Sequence, residues 1–196
     1  MEINATHDAD LWNRFRKGND NALSEIYSRN AGKLYRYGLK FTKNHSIIED
    51  AIQDLFLELI RNRRTLGFTD NILAYLLTSF RRKLFRQLKR EDRYFVQEEG
   101  DDYRFEVTYS VEHELILEEI SDERKRLYSL ILQHLKPRQK EAVYLKYSVG
   151  LPYEEISAIM EMNVESCRNL IYRAIRAVRE STEREGKPGE PGRETE

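Results

Sequence analysis

Asp50, Asp54 and Glu58 stand four residues apart, with Gln53 beside them. That interval brings a side chain back to the same face of an α-helix, so the three carboxylates line one stripe. Clustered carboxylates can move protons, hold a cation or meet a basic protein surface. No glycine-rich phosphate loop or nucleophile motif accompanies them. The single cysteine, Cys167, and the scattered His7, His45, His113 and His134 show no metal-ligand spacing. No catalytic residue, metal or cofactor is therefore expected. Acids would repel phosphate, which leaves a basic protein partner or a plainly solvated face.

Two basic groups suggest different chemistry. Arg81, Arg82, Lys83, Arg86, Lys89 and Arg90 crowd one stretch, preceded by "RTLGFTDN", which carries Phe68 and Asn71. Cations beside an aromatic and an amide suit a single strand with unstacked bases, although a helix-end loop with one buried aromatic fits the pattern equally. Further on, Glu165, Ser166, Arg168, Asn169, Tyr172, Arg173 and Arg176 recur at helical spacing. A helix with such a face can enter the major groove, where arginines meet phosphates or guanine edges. An ordinary helical hairpin with a solvated basic face is the alternative.

The elements that must position these groups read as all-α. No proline precedes Pro137, and apolar residues recur at three and four. Helices are expected at about 8–17, 20–41, 46–64, 71–93, 114–134, 137–148, 152–161 and 164–181. Ser46 and Glu49 make a capping box, followed by a buried stripe of Ile48, Ile52, Leu55, Phe56 and Leu59. Leu73, Leu76, Leu77, Phe80, Leu84 and Leu88 form the next stripe. Pro152 suits the first turn of one helix and Asn163 caps the next, a helix-turn-helix in which Glu161 stands near the usual place of a glycine. Val164, Cys167, Ile171, Ala174, Ile175 and Val178 are its expected buried side.

The formal net charge of -1 hides segregation. Residues 81–93 carry seven Arg or Lys against two acids, whereas 98–123 carry eleven acids against one arginine. Residues 94–113 read as an acidic linker and the Pro- and Gly-rich end as a disordered tail. No apolar run reaches the roughly 18 residues of a membrane span, and no signal pattern opens the chain, so a cytoplasmic protein without membrane insertion is expected.

The stretches "ALSEIYSRNAGKLYRYGLKFTKNHSIIEDAIQDLFLELIRN", "NILAYLLTSFRRKLFRQLKR" and "LILQHLKPRQKEAVYLKYSVGLPYEEISAIM", in this order around an acidic linker, resemble the extracytoplasmic-function class of bacterial sigma factors. The resemblance covers most of residues 20–180. It implies two small helical domains joined by a flexible acidic linker: a region 2 domain at 8–93, the linker at 94–113, a region 4 helix-turn-helix domain at 114–181, and a tail at 182–196. Asp50, Gln53, Asp54 and Glu58 would dock on core RNA polymerase. Phe68, Asn71, Arg81, Arg82, Arg86, Lys89 and Arg90 would capture the minus-ten element. Glu165, Ser166, Arg168, Asn169, Tyr172, Arg173 and Arg176 would read the minus-thirty-five element of promoter DNA. An anti-sigma factor is the further partner implied. The competing readings are a stand-alone helix-turn-helix regulator and a polymerase adaptor that does not read DNA.

Overall fold

A computed structural model of the chain describes residues 2–91, 103–106 and 135–185, with side chains from 7 to 91, 103 to 106 and 135 to 181. The helix expected at 114–134, most of the linker and the tail beyond 185 lie outside the described residues. Within them the chain forms α1 (Glu2–Arg16), α2 (Asp20–Gly38), α3 (His45–Asn62), α4 (Ile72–Glu91), α5 (Pro137–Val143), a π-helical segment (Tyr144–Ser148), α6 (Tyr153–Ile159) and α7 (Val164–Glu185). α1 and α7 extend beyond the expected bounds. The helix expected at 137–148 changes to π geometry at Tyr144.

The caps explain most boundaries. Asn19 accepts from the Ala22 N–H and starts α2. α3 starts one residue before the expected Ser46, because Asn44 is the cap and accepts from the Ser46 N–H. An amide two residues upstream therefore displaces the expected capping box. Pro152 is the cap of α6 rather than its first turn.

α1, α2, α3 and α4 pack on one another, while α5 and α6 pack on α7. The α3 stripe is buried as expected, joined by Ile47 and Ala51. On α4 Leu73 is only half-buried, and Ile72 and Ala74 take the inward places. Gly38 lies where α2 meets α3 and α4: a Cβ there would stand 2.8 Å from Ile48 Cγ2 and 3.1 Å from Phe80 Cζ. On α7 Cys167, Ile171 and Ala174 are buried, Val164 and Val178 half-buried, and Ile175 exposed, a departure from the expected stripe.

The two halves touch. α4 packs on α6, and Glu141 of α5 is fully buried against the amino-terminal half. Its Oε1 accepts from Arg81 Nε at 2.7 Å and from the Tyr37 hydroxyl at 2.5 Å. Its Oε2 accepts from Arg81 Nη2 at 3.2 Å and from the Tyr103 hydroxyl. Three separate stretches of chain thus satisfy one carboxylate, the condition for burying it at all. Burial alone would work against the Arg81 charge, but Glu141 outweighs it and holds the guanidinium protonated. Burial, with the carboxylate adding to it, also pushes both tyrosine hydroxyls well above their ordinary range. The described linker residues are part of this packing: Tyr103 and Phe105 are buried, and the Glu106 N–H donates to the Lys40 carbonyl at 2.7 Å.

Candidate polymerase and nucleic-acid interfaces

Asp50, Gln53, Asp54 and Glu58 are all exposed on α3. They do not form one uniform acidic face, because α4 answers two of them. Lys83 pairs with Glu58, and Gln87 Nε2 donates to Asp54 Oδ2 at 3.3 Å. Leu57 and Ile60 are exposed beside them, so the surface offers apolar area as well as charge.

The loop before α4 presents Phe68 at 64% exposure. Asn71 also has a local role: its Oδ1 accepts from the Ala74 N–H at 3.1 Å and caps α4. Thr69 Oγ1 accepts from the Asn71 N–H and donates to the Asn71 carbonyl, both at 3.1 Å. Along α4, Arg82, Arg86, Lys89 and Arg90 are exposed. Arg81 is not: its side chain is 11% exposed, held by Glu141 and stacked over Phe85 at 4.4 Å. Arg82 Nε pairs with Glu161 Oε1 at 2.7 Å, which sets the helix-turn-helix turn directly on the basic helix.

That turn keeps its shape without glycine. Glu161 adopts φ 52°, a left-handed conformation that a side chain makes costly. Asn163 Oδ1 accepts from the Ser166 N–H at 2.7 Å and starts α7 as expected. Glu165, Ser166, Arg168, Asn169, Tyr172, Arg173 and Arg176 are all exposed along α7. Arg168 reaches Glu154 at 3.4 Å and Arg176 reaches Glu180 at 2.7 Å. Pairs this exposed are screened by solvent and hold little, so phosphate can replace them readily.

The order of these surfaces is matched by two families. Residues 26–94 match Sigma-70 region 2, and residues 125–178 match Sigma-70 region 4. Together the two matches span more than half of the chain. It is an extracytoplasmic-function sigma factor. As such it binds core RNA polymerase and directs promoter recognition and transcription initiation. Among curated relatives, the RNA polymerase sigma factor CarQ of Myxococcus xanthus is 26% identical over 171 residues, covering 85% of this chain and 92% of that one. The ECF RNA polymerase sigma factor SigK of Mycobacterium tuberculosis H37Rv is 25% identical over 181 residues, 88% of this chain and 92% of that protein. Solved structures share the fold. CnrH in complex with the cytosolic domain of CnrY has a TM-score of 0.57 at 18% identity, over 90% of this sigma factor and 97% of that chain. RpoE of Bartonella quintana, in complex with the anti-sigma factor NepR, has a TM-score of 0.52 at 19% identity, over 82% and 96%.

The sequence pattern did not reveal Glu141, Tyr37, Tyr103 or Phe105 of this sigma factor as a connected group. The acidic linker's two spaced aromatics, Tyr103 and Phe105, were the available signal. Among the described residues no group of three or more His, Cys, Asp or Glu could hold a metal ion, and no helix is long and apolar enough to cross a membrane.

Proposed function

We propose that the sigma factor divides its work among three surfaces. Asp50, Gln53, Asp54 and Glu58, with Leu57 and Ile60 beside them, dock on polymerase. Phe68 and the basic face of α4 hold the opened minus-ten strand. The outward residues of α7 enter the major groove at the minus-thirty-five element. The observation that carries this reading is the exposure of Phe68 and of all seven α7 residues, two nucleic-acid faces on separate helical units.

The two faces cannot serve both elements in the arrangement described. Elements about two helical turns apart are roughly 70 Å distant. Arg82 touches Glu161, and Arg176 lies fifteen residues further along the chain, roughly 25 Å away at helical rise. The halves therefore part when polymerase and promoter are bound, and Arg81 exchanges the Glu141 carboxylate for DNA phosphate. An anti-sigma factor would work by holding the halves together or covering these faces; the structurally similar RpoE is solved in complex with the anti-sigma factor NepR. The protein acts without enzymatic activity of its own, in the cytoplasm with polymerase.

Size-exclusion of the purified chain with bacterial core RNA polymerase, without DNA, tests the reading. A stoichiometric shift into the polymerase peak is expected. A chain that stays apart from polymerase yet binds duplex DNA tightly would instead be a stand-alone regulator.

A further inference from the structure

α1 lies outside the residues matched to region 2, yet it reaches the loop that carries Phe68. Trp12, fully buried, donates from Nε1 to the Gly67 carbonyl at 2.8 Å. Asp8 Oδ2 accepts from the Ile72 N–H at 3.1 Å. The two side chains are four residues apart, on one face of α1. They grip the loop on either side of the four residues 68–71. Trp12 is itself fixed by rings at 4.8 Å (Tyr75) and 5.4 Å (Phe15).

Gly67 shows why the grip matters. A Cβ there would meet nothing within 4 Å, and its φ is not in the left-handed region, so neither contact nor backbone strain demands glycine. Open space lies beside Gly67, and its carbonyl is held by the Trp12 indole. Phe68, next in the chain, has no comparable anchor of its own at 64% exposure. A base-stacking ring must be held in place before the base arrives, or ordering it is charged against binding.

We propose that Trp12 and Asp8 are positioning residues for strand capture, setting the loop that presents Phe68. This rests on the assignment of that loop to the minus-ten element. Their effect belongs to promoter opening and not to polymerase docking.

The test uses holoenzyme assembled from core polymerase and the full chain. Wild-type holoenzyme first selects duplexes from a random pool; failure to select any would overturn the assignment of the loop, apart from the role of α1. On a selected duplex, 2-aminopurine fluorescence in the minus-ten region reads opening. Trp12→Phe, which keeps a ring and loses the N–H, and Asp8→Ala should each slow opening about three- to tenfold, the effect of one hydrogen bond. Polymerase association should be unchanged, and the defect should shrink on a template already unpaired at the minus-ten element. Asp8→Asn, which keeps an acceptor oxygen, should open near the wild-type rate, and Gly67→Ala should partly restore Trp12→Phe by restricting the loop. Wild-type opening by both Trp12→Phe and Asp8→Ala would overturn the proposal. So would an equal defect on paired and unpaired templates, or Asp8→Asn failing as badly as Asp8→Ala. If Trp12→Phe does not fold, the Asp8 pair decides.

Discussion

Replacing Glu141 by glutamine should part the two halves while leaving each folded. The carboxylate accepts four hydrogen bonds, two of them from Arg81. An amide offers one acceptor oxygen and turns an N–H₂ group toward donors. Arg81 would then be buried without its counter-charge, a loss of about 3–5 kcal/mol. At about 1.4 kcal/mol per decade, closure weakens roughly a hundred- to several-thousandfold. The penalty ends once the halves separate and Arg81 is hydrated, so the result is an opened protein and not an unfolded one. Small-angle scattering should show a larger radius of gyration and a longer maximum dimension for Glu141→Gln. Far-ultraviolet circular dichroism should stay near that of the wild type. An unchanged radius with a lower melting temperature would refute the reasoning, because Glu141 would then stabilise one indivisible body. The tyrosines give the same contact a pH signature. Their hydroxyls are raised in the folded chain, so their contribution is complete below about pH 10, the ordinary tyrosine value, and falls as pH rises beyond it. Wild-type closure should therefore hold at neutral pH and weaken in strong alkali.

Gly38→Ala should destabilise the amino-terminal half by about 1–3 kcal/mol in urea unfolding, since its Cβ would press on Ile48 within a packed core; a neutral result would mean that α2 and α3 can shift apart freely. Glu155 is raised by burial and then by Asp70 and Glu154, so its contribution is present in acid and lost as pH rises through its folded value. Glu155→Gln should accordingly tighten closure at pH 7 and change little near pH 4, as read by scattering. Arg173→Ala should weaken promoter binding by the holoenzyme with polymerase association intact, and Asp50→Ala should do the reverse; loss of both functions in either variant would contradict separate surfaces.

Local pattern was enough for the described helices and for most of the side each turns outward, with Ile175 and Arg81 as exceptions. The α3 stripe is buried and all seven α7 residues point to solvent, because helical period and burial share one geometry. Asn163 was legible for the same local reason. Glu141 was not: in "PRQKEAVYLK" it reads as one more solvated acid, and its partners lie 60 and 104 residues earlier. No local period encodes such a pairing. The pairing of Arg81 was hidden by the same limit, because in its basic run it reads like its neighbours, whereas here it is the counter-ion of Glu141. Asn71 shows a smaller version, because a turn amide and a helix cap have the same sequence signature until Ala74 is seen to donate to it.

Trp12 is the only tryptophan in the 196 residues, and its indole rests on the Gly67 carbonyl. The protein therefore carries an optical label at the loop that presents Phe68, needing no attached dye. In the free chain, displacement of that loop should alter tryptophan emission, while parting of the halves at Glu141 should leave it nearly silent. Exciting at the red edge, where tyrosines do not absorb, reads the loop apart from the movement of the halves.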